Sequence, residues 1–584
     1  MCEYLHANII ACANAVLPAR TVGNDHIPKL PKDLETLIQH YRFLNRILHS
    51  IKLLRKYPHT FSSSHDSKCS GYLIRLNNIF NLYKFIFSAV PVLPSSLFSC
   101  QTDNFNNLIQ TLSHTSKSLR GLYLLKEKEF QNSSIKAHLK TRDQNFDIDI
   151  SSFINSALSR SHRRIVLDRV FINHPSAPQL LTNLKDISDT VVNHFQTVVP
   201  IKATPTSHIS ALSDRWRSEY SPMNTVSPNI YSSLLSPPSL EKWLSTVSSM
   251  PNGKAPDPSM ITYEMLKHLG PTTNSLLLTL IRKYFASADI PDLWRQAMVF
   301  PILKLHEWRC QLKNTRPITL LEVIRKSFVK LFYNHLSVIL AAHNVLKGGN
   351  FAGLPGGTCR DPIITLESII HDANHNNSPL WILSQDISKA FDSVNLTMLK
   401  FALECIRLPA SAITLILSLF MNHSNQIFTA YGEASSYRVR IGIDQGDVIS
   451  LLLWVIYIDP LLTVLKNEML DPYILRSPTL LSNITDFTSD IVINNLVFMD
   501  DSTLISSSKA GLEHMLSITE EFYTLNNTSA NHQKYVLISN SLLLTTTSTI
   551  LPVEFHLSLS SLNDISSISV TPLSITSSFR FLGV

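Results

Sequence analysis

Hydrophobic and polar positions change period several times along this chain, and each change predicts an element. From Leu34 to Lys56, apolar residues recur at helical spacing between Arg42, Arg46, His49, Lys52, Arg55 and Lys56, a basic amphipathic helix. Its basic side is either a nucleic-acid contact or a solvated face. The remainder of residues 1–225 is weakly patterned and reads as a mostly helical region, with further basic residues at Arg160, Arg163 and Arg164. From about residue 226 the pattern sharpens. Ser239 is placed to cap a helix running to Ser249, Pro251 to Pro258 is a turn-rich loop, and helices are expected over Ile261 to Leu269 and Leu276 to Ala286.

Short strands then alternate with helices. Ala297 to Lys304 and Lys313 to Ile318 predict two short strands joined by a polar loop, followed by a helix from Leu320 to Asn334 and another from Pro362 to His371. The run Trp381-Ile382-Leu383 predicts a strand. Asn395 is placed to cap a helix carrying Leu399, Leu403 and Ile406, and Pro409 ends it. A helix over Ala410 to Met421 precedes a hairpin over Gln426 to Arg440, with its turn at Gly432-Glu433. Ser450 to Leu462 reads as a buried helix. Asn495 to Phe498 and Leu504-Ile505 predict a second hairpin, and Gly511 to Tyr523 and Val536 to Ile538 predict a closing helix and strand.

Composition narrows the class. A hydrophobic fraction of 44% supports a sizeable core, while net charge +7 accommodates a polyanionic partner without demanding one. The seven cysteines are scattered with no Cys-x-x-Cys pair, so neither a disulfide framework nor a zinc knuckle is expected, and a reducing compartment is. No secretory leader is expected. Pro91 and Pro94 break one apolar stretch, and Asp459 and Pro460 break another, so no membrane span is predicted.

The candidate chemistry centres on Asp500 and Asp501, adjacent carboxylates at the tip of the second hairpin. Two readings stand: an exposed Asp-Asp turn, or a divalent-metal site, since Mg²⁺ takes carboxylate oxygens and leaves positions open for phosphates. Asp386 ends the strand begun at Trp381, and a sheet joining that strand to the hairpin would set three carboxylates around two metals for in-line phosphoryl transfer. Lys304 and Arg316 place one cation on each of two paired strands, a clamp suited to triphosphate oxygens. The glycine-dense stretch 347–358 lacks the Gly-Lys-Ser/Thr ending of a P-loop.

Three ordered motifs give these residues a family. Asp-Ile-Ser-Lys-Ala-Phe-Asp (386–392), Gly-Ile-Asp-Gln-Gly-Asp-Val-Ile-Ser (442–450) and Phe-Met-Asp-Asp (498–501) resemble the palm motifs of reverse transcriptases, those of non-LTR (LINE-type) retrotransposons above all. The resemblance covers residues 226–584 and implies an α+β fold: right-hand polymerase fingers and palm, with an antiparallel palm sheet backed by helices. It implies RNA-directed DNA polymerase activity on an RNA template and DNA primer with deoxynucleoside triphosphates. Two Mg²⁺ ions, or Mn²⁺ in their place, would be held by Asp386, Asp500 and Asp501. It further implies nucleotide contacts from Lys304, Arg316, Gln445, Gly446 and Lys534, and a steric gate at Phe391 that excludes a 2′-hydroxyl.

There are departures from the family pattern. Asp257 and Ser259 stand where glycine and aspartate are usual, and Val448 and Leu451 where proline is usual. Phe581 to Val584 resembles the start of the primer-grip hairpin, so the chain reads as a fragment ending before the thumb. The alternatives are a catalytically silent nucleic-acid-binding remnant and an RNA-directed RNA polymerase, the latter opposed by Phe391. A eukaryotic mobile element implies action inside the cell, in the nucleus.

Overall fold

A computed structural model describes residues 2–16, 30–57, 66–86, 92–94, 102–148, 167–173, 178–197, 199, 207–255, 259–304, 308–476, 490–542, 551–558, 565–574, 577–579 and 581–582. The Pro256 to Pro258 turn, the basic residues Arg160, Arg163 and Arg164, and the terminal Gly583-Val584 lie outside them. The chain divides into two compact units: Arg20–His162, and Met1–Ala19 together with Arg163–Val584.

The first helix, α1 (Cys2–Val16), belongs to the larger unit, burying Leu5 and Ile9 in its core. The smaller unit is helical: α2 (Lys32–Lys56), α3 (Asp66–Leu82) and α4 (Thr102–Ile148). Leucine and isoleucine at helical spacing give α2 a buried stripe, including Leu37, Leu44, Ile47 and Ile51, which joins Leu76 and Phe80 of α3 and Leu112 and Leu119 of α4. Each such side chain contributes about 1.5–3 kcal/mol by leaving water. Polar pins cross the same interface, Ser116 donating to Asn45 at 2.7 Å. Asp33 and Glu35 in the first turn of α2, and Arg55 and Lys56 in the last, complement its dipole.

In the larger unit, β1 (Val170–Ile172) and β2 (Gln179–Leu181) form a hairpin, followed by α5 (Leu184–Gln196). The next strands, β3 (Gln296–Leu303) and β4 (Thr315–Leu320), pair antiparallel with Ile302 opposite Arg316. The strand β5 (Trp381–Gln385) joins a different sheet, while β6 (Ser424–Thr429) lies parallel to β3 on the side away from β4. Against β6 pack β7 (Gly432–Glu433) and β8 (Tyr437–Arg438). The turn expected at Gly432-Glu433 is therefore displaced: Thr429 pairs with Gly432 around Ala430-Tyr431, and Gly432-Glu433 is the returning strand. The Thr429 hydroxyl closes that turn, donating to the Gly432 carbonyl at 2.8 Å and accepting from the Tyr431 amide at 3.2 Å.

The short strands β9 (Tyr473–Leu475) and β10 (Ile491–Ile493) pair with each other. The sheet that positions the site has the order β11 (Asn495–Phe498), β12 (Asp501–Ser506), β5, β13 (Val536–Ser539), every pair antiparallel. Alternation along its strands divides the side chains between two cores. Val497, Leu504, Leu383 and Leu537 face the helices Leu396–Cys405, Ser450–Lys466 and Lys509–Leu525. Leu496, Ile505 and Ile382 face Leu366, Ile369 and Ala373 of the helix Arg360–Asn376. A last hairpin, β14 (Val553–Ser558) with β15 (Ile565–Val570), packs Phe555 and Leu557 into the first of these cores.

Several expected caps and ends are in place. Ser239 and Asn395 both accept from amides of the first turns they precede. The helix expected over Leu320 to Asn334 runs instead from Val323 to Ala342, and the one expected to end at Leu462 continues through Pro460 to Lys466. Trp216 and Tyr220 share the main core with residues beyond 226, Trp216 lying 5.4 Å from Phe522 between ring centres.

Candidate active site

The two-residue connection between β11 and β12 is Met499-Asp500, closed by pairing of Phe498 with Asp501. Such a tight turn requires positive φ at its first position, where glycine is usual. Here Met499 sits at φ +59°, which costs about 1–2 kcal/mol for a residue with a Cβ. Neighbours hold it there. The Asn350 amide grips the Met499 backbone from both sides, accepting from its N–H at 3.2 Å and donating to its carbonyl at 3.1 Å, and the Trp454 indole donates to the same carbonyl at 3.0 Å. The glycine-dense stretch around Asn350 is tied down in turn, since Phe351 donates to Val497 and the Asp459 carboxylate accepts from the Lys347 and Gly348 amides.

Asp386 follows β5 at the residue after Gln385, which pairs with Ser502. Asp386 and Asp501 thus stand at the same end of neighbouring strands, with Asp500 in the turn beside them. Burial raises Asp500 above the ordinary carboxylate range; the Asp386 charge adds to this, while a backbone hydrogen bond and Arg316 oppose it. Asp501 is raised by burial and then by Asp500 and Asp386. Asp386 pairs with the Lys534 ammonium at 3.0 Å. Among the described residues, no three carboxylate, imidazole or thiol groups stand close enough together to hold a metal ion.

A field of cations faces them. Burial lowers the Lys304 ammonium, and Arg316, Lys389 and Lys534 lower it further. Lys304 donates to the Lys313 carbonyl at 2.7 Å across the β3–β4 connection. His194 of α5 is lowered by burial and then by Lys389 and Lys304, so an element far upstream of the motifs borders the site.

The loop Gly442 to Asp447 is fastened on both sides of Gln445. Arg325, fully buried in a helix of apolar residues, donates to the Asp447 carboxylate at 2.8 Å and to the Trp294 and Leu419 carbonyls. Asp444 lies 3.6 Å from Arg325 and 3.0 Å from His423. Burial works to raise Asp444, but His423 and Arg325 outweigh it and hold the carboxyl below its usual range. Gln445 itself is exposed. Packing alone requires glycine at 446: a Cβ there would lie 2.0 Å from the Thr319 carbonyl of β4. At the start of the loop, Gly442 takes φ +99° and donates to Val394, and Ile443 donates to the Phe391 carbonyl at 2.9 Å. The half-buried Phe391 ring lies 6.0 Å from that of Trp454, so the expected gate, the loop and the Met499 turn form one connected assembly.

Asn350, Trp454, Lys389 and His194 escaped the sequence reading. Arg325 left a fainter signal, one of two adjacent cations, with Lys326, inside the largely apolar stretch Val323 to Val329. Comparison with known proteins agrees with the geometry. Residues 304–584 match the family described as reverse transcriptase (RNA-dependent DNA polymerase). The C-terminal half of this chain is a reverse-transcriptase domain. It is homologous to Pol proteins of non-LTR retrotransposons. The chain is 22% identical over 260 residues to the transposon TX1 uncharacterized 149 kDa protein of Xenopus laevis, covering 44% of this chain and 20% of that protein. It is 25% identical over 205 residues to the retrovirus-related Pol polyprotein from type-1 retrotransposable element R2 of Nasonia vitripennis, covering 35% and 18%. Its likeness to the R2DM polyprotein of Drosophila melanogaster is 21% over 181 residues, covering 31% and 16%. The chain thus spans a fifth or less of these relatives' length. A solved telomerase structure from Candida albicans overlaps 48% of each chain at 11% identity with a TM-score of 0.29, too slight a likeness to build on. No described helix of the reverse-transcriptase domain, or of the rest of the chain, is long and apolar enough to cross a membrane.

Proposed function

We propose that this domain is an RNA-directed DNA polymerase that adds deoxynucleotides to a primer 3′-end on an RNA template. What supports the reading is that Asp386 and Asp501 stand at one end of neighbouring strands of an antiparallel sheet with Asp500 in the turn beside them, while the Arg316 charge acts on Asp500 and on Lys304. In this reading that sheet is the palm, and β3, β4 and β6 belong to the fingers. The carboxylates fit a hard divalent cation chemically: all donors are oxygen, and a cation would offset the burial that raises Asp500 and Asp501 and the lesser repulsion that adds to it. They would hold two Mg²⁺ ions, with Mn²⁺ able to substitute, and bound metal would supply Lewis-acid stabilisation of the transferring phosphoryl group.

The protein's own groups bind and orient. Arg316 and Lys304 receive triphosphate oxygens, the guanidinium through two parallel donors. Phe391 closes the space that a 2′-hydroxyl would need, Gln445 presents donor and acceptor beside the sugar, and Lys534 faces the pyrophosphate side. Gly446 keeps the Gln445 loop tight against β4. Primer extension on an RNA template tests the reading. Dependence on added Mg²⁺, preference for deoxynucleotides and loss in an Asp500→Asn variant are expected; extension untouched by that substitution overturns the site assignment.

A second reading has one observation in its favour. Lys534 already neutralises Asp386, as it would in a remnant that binds nucleic acid without catalysis. RNA binding by the folded chain with no incorporation in Mg²⁺ or Mn²⁺ would select it.

A further inference from the structure

The charge of this chain is unevenly divided between its two units. Residues 20–162 hold 19 Lys and Arg against 10 Asp and Glu, a net +9, so the remaining sequence, at +7 overall, carries −2. Within α2 the asymmetry sharpens: no acidic residue occurs between Glu35 and Asp66. At 100° per residue, Arg42, Arg46, His49 and Lys56 fall within an arc of about 80°, with Lys52 at its edge, opposite the stripe of Leu44, Ile47 and Ile51. All five polar residues are exposed, and the apolar three are buried. Among the described residues of this unit, one basic side chain, Lys126, meets a carboxylate, that of Asp33. An ordinary solvated helix face interleaves both signs at i, i+4 spacing; this one does not.

We propose that the outer face of α2 is a nucleic-acid-binding surface that holds RNA or DNA through its phosphates, sharing no residue with the carboxylate site. From Arg42 to Lys56 the helix rises about 21 Å, the span of about six phosphates at their spacing along one strand. Tyr57, 50% exposed, follows at the end of the stripe with the Lys56 ammonium 5.1 Å from its ring centre, an aromatic beside a cation of the kind on which a base stacks. An anionic membrane is the less suited polyanion, because Leu53 is the one exposed apolar side chain of α2 among these bases, and the large apolar stripe that would enter lipid is buried against α3 and α4.

The test uses the full chain without divalent metal, binding a labelled single-stranded RNA of about 20 nucleotides across a salt series. An Arg42→Gln/Arg46→Gln/Lys52→Gln/Lys56→Gln variant, with helix content unchanged by circular dichroism, is expected to bind at least tenfold more weakly at low salt. Its slope of log affinity against log salt is expected to fall by about 3, at roughly 0.7 per phosphate contact on a single strand. An Arg42→Lys/Arg46→Lys variant should keep the parental slope. A quadruple variant with the parental slope overturns the proposal. So does one that keeps RNA binding while losing attachment to phosphatidylserine vesicles, which would assign the face to membranes.

Discussion

Replacing Asn350 by leucine, of similar volume, tests how the carboxylate turn is held. The substitution removes three hydrogen bonds: from Met499 N–H at 3.2 Å, from Ala352 N–H at 3.0 Å, and to the Met499 carbonyl at 3.1 Å. At about 0.5–1.5 kcal/mol each the loss is about 2–4 kcal/mol. Set against it is the roughly 1–2 kcal/mol cost of methionine at positive φ. With Asn350 the turn is held firmly; without it the bond from Trp454 alone opposes the strain, and Met499-Asp500 should relax. The expected result is a rise of about tenfold in the Mg²⁺ concentration giving half-maximal primer extension, with a smaller change in nucleotide KM. Met499→Gly removes the strain at its source, so Asn350→Leu/Met499→Gly should recover most of the metal response. A folded Asn350→Leu protein with an unchanged Mg²⁺ titration, or a double variant no better than the single, would refute the reasoning.

Arg325→Met strands the Asp447 carboxylate in a buried site, and urea unfolding should show a loss of about 3–5 kcal/mol, as when one partner of a buried pair is removed. Gly446→Ala drives a methyl against the Thr319 carbonyl, and primer extension should fall at least tenfold in a protein that still melts cooperatively. Asp392 is pushed up to about 6, by burial first and by Asp444 next, with Lys389 opposing. Between about pH 4 and 6 the folded chain therefore binds a proton that the unfolded chain has released, and this contribution to stability is lost as pH rises through that window. Asp392→Asn should flatten the slope of denaturation midpoint against pH there; an unaltered slope would count against it.

What could be read from sequence was what local pattern encodes. The short apolar runs at Ile382-Leu383 and Leu504-Ile505 announce strands, and both members of each pair are apolar because they serve different cores. Asp500-Asp501 between apolar runs announces a hairpin, but its two-residue turn is Met499-Asp500 and Asp501 already pairs in β12. The parallel pairing of β3 with β6 joins Gln296 to Ser424 across 128 positions, and nothing local records it. Gly432-Glu433 carried turn chemistry in composition, but the Thr429 hydroxyl moved the turn upstream. Asn350 was unreadable for a related reason: its partner is a backbone 149 residues away, and a backbone leaves no trace in side-chain pattern. The packing of Gly446 against β4 was not legible, since only the fold brings Thr319 beside it.

The membership of α1 in the larger unit bears on how the chain can be cut. In sequence, residues 20–162 are an insertion between α1 and everything from Arg163 onward. A truncation beginning at residue 163 would remove more than the helical unit. It would strip Leu5 and Ile9 from the core and take His6 from its place 3.4 Å from Glu322. Glu322 caps the helix that carries Arg325, accepting the Arg325 amide hydrogen, and Arg325 in turn fixes Asp447 beside Gln445. Replacing residues 20–162 by a glycine-serine linker keeps α1 on the chain. The helical unit is separable by excision from the interior, not by trimming from the end.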